Sequence, residues 1–190
     1  MEENTLTAVD RLRESALDQH GYITTAQASE LNVSKAALSI LAKRGRIERV
    51  GHGIYHIPQV PFSQYAPLML AVLWTGVPEA ALSHETALDL YEVSDINPFK
   101  IFVTVGKDRR IRRKGPEKYK LHYQDLQPNQ ITWREQIPTV TLPTAIKQCI
   151  DIGVPSYLVR QAIENGRNQG LVLSGEKDNL LNRLEERNRQ

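Results

Sequence analysis

Apolar residues return at helical spacing near the start of the chain. Leu6, Val9, Leu12, Ala16 and Leu17 share one face, and the pattern stops at Gly21, which suits the left-handed turn just past a helix. After the extended pair Tyr22-Ile23, Thr24 stands three residues before Gln27. That spacing is a capping box, in which each side chain satisfies the other's free backbone donor, and it predicts a second helix to about Leu31. Asn32 supplies a tight turn, and Ser34 is an N-cap for a third helix that ends at Gly45. Ile47 to Val50 and Ile54 to Ile57 are rich in β-branched residues and flank Gly51-His52-Gly53, the pattern of a β-hairpin. Pro58 and Pro61 then break the pattern, so a first domain is assigned to residues 1–60 and a second to residues 61–190.

The second stretch is mixed. Helices are predicted at Tyr65 to Trp74 and Ala80 to Tyr91, then strands at Ile101 to Val105, Tyr119 to Tyr123, Ile131 to Glu135 and Ile137 to Val140, with turns at Asp125 and Asn129. Helices resume at Pro143 to Ile152, Tyr157 to Gln169 and Lys177 to Arg187. The N-terminal order of helix, helix, turn, helix and hairpin is that of a winged helix-turn-helix, whose third helix enters the DNA major groove. The expected fold class is therefore α+β: an N-terminal winged helix-turn-helix followed by a mixed α/β C-terminal domain.

Composition excludes more than it identifies. A hydrophobic share of 41% and a charged share of 24% are ordinary for a globular protein, and no low-complexity tract dominates. Residues 2 to 5 are polar, and no apolar run approaches the ~18 residues of a membrane span, so neither a secretory signal nor a span is expected and the protein is assigned to the cytoplasm. The single cysteine, Cys149, lies in a largely apolar run and reads as a core thiol. Net charge is only +2, but its distribution is uneven. Between Val33 and Pro58, Lys35, Lys43, Arg44, Arg46 and Arg49 face only Glu48; between Lys107 and Lys114, Asp108 is the only acid.

Those charges fall where the fold makes use of them. On the third helix, Ala37, Leu38 and Leu41 form the inward face, and Lys35, Ala36, Ser39 and Lys43 the outward one. Small outward residues let a helix approach base edges; Lys35 and Ser39 can address bases, Lys43 and Arg44 suit phosphates, and the Ser34 end of the helix carries partial positive charge. Arg46, Arg49 and His52 place charge and a donor on the hairpin. Arg109, Arg110, Arg112, Arg113 and Lys114, read as a hairpin tip or loop, can line one nucleic-acid backbone.

Catalytic patterns are weak. Ser83 adjoins His84 without a Gly-x-Ser-x-Gly elbow, and neighbours on a helix do not face each other. His84 and Asp89 point to different faces of their helix, and His52 and His56, along an extended strand, stand roughly 13 Å apart. There is no phosphate-binding Gly-x-x-x-x-Gly-Lys loop. No catalytic residue, metal site or cofactor is assigned, and the chain is read as not being an enzyme. Two alternatives stay open: a protein-interaction module that docks a partner through the winged helix and basic loop, and a metal-dependent nuclease drawing on Glu85, Glu92, Asp95 and Asp108.

Several strings resemble one family. Gly21-Tyr22-Ile23-Thr24-Thr25, Gly45 to Tyr55, Ser83-His84-Glu85-Thr86-Ala87-Leu88, Trp133-Arg134-Glu135 and Pro143-Thr144 are similar to the AbiEi-type antitoxin regulators of type IV toxin-antitoxin operons. The resemblance implies a winged helix-turn-helix with a larger C-terminal domain, binding to inverted repeats in double-stranded DNA to repress its own operon, and opposition to a nucleotidyltransferase-type toxin. On that basis the partners are operator DNA and a cognate toxin, with no membrane, and the protein is a monomer or weak dimer that binds DNA cooperatively.

Overall fold

Thr7 and Asp10 form a capping box at the head of the first helix, α1 (Ala8–Leu17). A computed structural model describes residues 7–112 and 115–189; Leu6, assigned to this helix from its pattern, lies outside them. Leu12 and Ala16 are fully buried, whereas Leu17, read as part of the apolar face, is 50% exposed at the helix end. The expected capping box of Thr24 and Gln27 is present and starts α2 (Thr25–Glu30) directly after strand β1 (Tyr22–Thr24). Asn32, with φ of 57°, makes the left-handed turn into α3 (Lys35–Lys43). Strands β2 (Glu48–Gly51) and β3 (Ile54–His56) form the hairpin, and β3 lies between β1 and β2 in an antiparallel three-stranded sheet. Leu12, Ile23, Leu38, Ile47 and Ile57 meet in one core. Burying each contributes about 1.5–3 kcal/mol.

The chain clusters into two compact units, the first ending at Gly76 and the second beginning at Val77. Helix α4 (Ala66–Thr75) therefore falls in the first unit, although the boundary read from Pro58 and Pro61 precedes it. Gly76, left-handed at φ of 66°, caps its end.

The second unit holds a five-stranded mixed sheet in the order β6-β5-β4-β8-β7. Its strands are β4 (Ala81–Leu82), β5 (Ile101–Val105), β6 (Tyr119–Tyr123), β7 (Ile131–Arg134) and β8 (Ile137–Val140). Helices α5 (His84–Leu90), α6 (Leu142–Asp151), α7 (Ser156–Asn168) and α8 (Ser174–Arg189) supply most of its core, including Leu88, Ile146, Cys149, Val159, Ile163 and Leu184.

Two expectations are corrected here. The helix predicted over Ala80 to Tyr91 begins only at His84, because Ala81 and Leu82 are taken into the sheet between β5 and β8. The basic segment is not a hairpin tip: β5 and β6 run parallel, Ile101 opposite Tyr119 and Val105 opposite Tyr123, so the segment between them is a crossover connection.

Candidate nucleic-acid interface

Both ends of α3 are fixed locally. The Ser34 Oγ accepts from the Ala37 N–H at 3.1 Å, and Gly45, at φ of 67°, turns the chain toward β2. At about 3.6 residues per turn, Leu38 points into the core, with Ala37, Leu41 and Ala42 half-buried beside it. Lys35, Ala36, Ser39 and Lys43 are exposed, as is Arg44 at the C-cap. The Ser39 hydroxyl donates to the Lys35 carbonyl at 3.0 Å. Its proton is thus used inside the helix, and its oxygen is what it offers outward. The same face carries Ile40, 49% exposed, to which the sequence reading gave no role. Its spacing, four residues after Ala36 and three before Lys43, puts it on their face and is the signal that finds it.

The hairpin is tied back to the helices. Gly53, at φ of 70°, presents its carbonyl to the Thr25 N–H at 2.9 Å and the Thr25 hydroxyl at 3.3 Å. A Cβ there would stand 3.2 Å from that hydroxyl, so both conformation and space call for glycine. The strand register shifts between Arg49 and Gly51, and the Arg49 Nε donates to the Gly51 carbonyl at 3.3 Å. Arg46, Arg49 and the turn residue His52 are exposed. Asp10 is held below the usual carboxylate range by the Thr7 hydroxyl first, then the Thr7 N–H, with smaller help from the charges of Arg13 and Arg46. At the base of the hairpin, His56 is buried against the rings of Tyr22 and Phe62, with centroids at 5.7 and 4.9 Å.

The nine N-terminal residues assigned to nucleic acid, from Ser34 to His52, thus lie in one unit on α3, its N-cap, the turn after it and the hairpin. Arg109, Arg110 and Arg112 lie in the other, exposed in the β5–β6 crossover; Arg113 and Lys114 lie outside the described residues. The Arg109 Nε donates to Glu79 at 2.5 Å, and the Lys107 N–H donates to the Asp125 carboxylate at 2.9 Å. These contacts moor the start of the crossover. Arg110 and Arg112 carry no ion pair among the described residues.

The remaining polar cluster surrounds His84. Ser83 precedes α5 in an extended conformation and His84 has φ of 51°, so the two neighbours do meet, Oγ to Nδ1 at 2.9 Å. Adjacent residues within a helix do not face each other, but Ser83 stands outside α5, and the expectation drawn from helix geometry does not hold for this pair. The His84 ring stacks on His122 at 3.8 Å and on Phe102 at 5.6 Å, and its backbone N–H donates to the Gln148 side-chain oxygen at 3.3 Å. Burial, then His122, depresses His84 to about 3, which keeps it neutral. Ser83 is 0% exposed, so this pair does not present a nucleophile at the surface. The four acids considered for a metal do not converge: Asp95 accepts from the Gln161 amide at 2.9 Å and Asp108 lies 3.8 Å from Arg109, while burial raises the carboxyl of half-buried Glu85. Among the described residues, no three His, Cys, Asp or Glu side chains group to hold a metal ion. Cys149 is buried, and its thiol is pushed up by burial and then by Glu85. No helix among the described residues is long and apolar enough to cross a membrane.

A family model described as transcriptional regulator, AbiEi antitoxin, matches residues 10–58. The matched segment runs from α1 to just past β3 and contains the whole of α3 and the hairpin. Over it the chain is similar to AbiEi-type regulators, as the N-terminal strings imply; the strings of the second unit lie beyond the match. No curated protein matches the chain.

Proposed function

We propose that the chain is a sequence-specific DNA-binding repressor whose first unit is a winged helix-turn-helix, with α3 as the recognition helix and the β2–β3 hairpin as the wing. The observation that carries this reading is the outward face of α3. Apart from Ile40 it is small and basic, it has no acid, and it sits beside a hairpin with exposed Arg49 and His52, all inside the segment similar to AbiEi antitoxin regulators. Lys35 and Ser39 address bases; Lys43, Arg44, Arg46 and Arg49 address phosphates; the Ser34 end of α3 adds its N-terminal partial charge. The chain does no chemistry. It represses its own promoter through inverted repeats, binding cooperatively as a monomer or weak dimer, and acts as the antitoxin of a type IV operon opposing a nucleotidyltransferase-type toxin. The second unit adds a phosphate contact through Arg110 and Arg112 of the crossover, with Arg113 and Lys114 assigned to the same track from sequence.

A reporter driven by the DNA upstream of the protein's own gene tests the repression. The wild-type chain is expected to silence it. Lys35→Ala should relieve silencing at matched protein level, since one lost base contact costs about 1–3 kcal/mol on the specific site. A reporter indifferent to the wild-type chain rejects the reading, and silencing unaltered by Lys35→Ala removes Lys35 from it.

A further inference from the structure

We infer that Ile40 is a specificity-determining residue that reads the 5-methyl group of thymine in the major groove, an inference that rests on α3 being the recognition helix. Ile40, 49% exposed, is the one long apolar side chain on an otherwise short or basic face, and it stands among the cations that would meet a duplex. Its neighbours on that face are Ala36 and Lys43, with Arg44 at the helix end, and from Ser34 to Arg46 the sequence contains no acid. A second copy of the same face would bring like charges together, whereas a duplex presents phosphates to the cations and an apolar methyl group to the isoleucine. The hydrogen bonds of the helix narrow the choice further. Ser39 spends its hydroxyl proton on the Lys35 carbonyl, so Lys35 is the strong donor toward bases at one side of the face, and the Ala36–Ile40 side has only apolar atoms to offer. Among base edges in the major groove, the thymine methyl is the apolar one.

The test uses the full chain and duplex from its own upstream region, with each thymine replaced singly by uracil. Uracil keeps every hydrogen-bonding group and lacks only the methyl. One or two positions are expected to weaken wild-type binding about three- to fivefold, the equivalent of one buried methyl group. Ile40→Ala should bind the all-thymine duplex more weakly by a similar factor and be indifferent to uracil at those positions, while Ile40→Val should keep part of the discrimination. If the wild type prefers its promoter over scrambled duplex but ignores every uracil, or if Ile40→Ala responds to uracil as the wild type does, the inference is wrong and the recognition helix survives. Loss of self-association in Ile40→Ala with DNA binding intact would also overturn it. No preference for the promoter by the wild type sinks both.

Discussion

Replacing Arg110 and Arg112 together by Ser is expected to flatten the dependence of log K on log salt by about 2, because each phosphate neutralised contributes ~0.9 to that slope. At physiological salt this amounts to a loss on the order of thirtyfold, equal on promoter and scrambled duplex, so the ratio between them holds. Arg109→Ser should move the slope less than either, since its guanidinium is already paired with Glu79. A surface ion pair of this kind is worth little to stability, so the unit should remain folded in both variants. An unchanged salt slope in the double variant, together with lost binding of a protein partner, would assign the crossover to a protein interface.

Acidification is expected to destabilise the second unit. In the unfolded chain His84 takes a proton near 6.5, whereas burial and the stacked His122 hold it off until about 3 in the fold. Between those values the unfolded state binds more protons. The stability is therefore fully present above the unfolded value and is lost as pH falls toward the folded one, by up to roughly 4–5 kcal/mol. His122, lowered by burial and then by Lys120, acts in the same direction. Glu85 and Asp89 are raised by burial, so their folded forms take protons first and return part of the loss at lower pH. Urea unfolding of the wild type and His84→Gln at pH 7.5, 6 and 5 measures this. The variant should show the shallower decline; parallel declines would remove His84 as the source.

What was legible in the sequence was local. Thr24 with Gln27, Ser34 ahead of α3 and Gly51-His52-Gly53 between β-branched runs are signals spanning a few residues, and each produced its element. The box of Thr7 with Asp10 is just as local a signal, three residues apart at the head of α1. The failures are where pairing partners are distant in sequence. Ala81 and Leu82 have no strand preference of their own in an alanine-rich run, and they become β4 only because Thr104 and Val103 on one side and Thr139 on the other complete their ladder. The parallel register of β5 and β6 is likewise invisible in the segment that joins them. For the candidate interface, the exposed cations of α3 and the hairpin follow from helical period and turn chemistry. Arg109 is committed to Glu79, thirty residues away, and the Ser39 rotamer to the Lys35 carbonyl, and neither contact is set by helical period or turn chemistry.

The central claim is that α3 reads base sequence. Fluorescence anisotropy of labelled duplex from the protein's own upstream region, competed with unlabelled promoter or scrambled duplex at fixed physiological salt, tests it most directly. The account predicts that promoter competes at least 10³-fold better than scrambled duplex, the lower end for specific regulators, and that Lys35→Ala forfeits about 1–3 kcal/mol of that preference while binding scrambled duplex nearly as the wild type does. Equal competition by the two duplexes would contradict it.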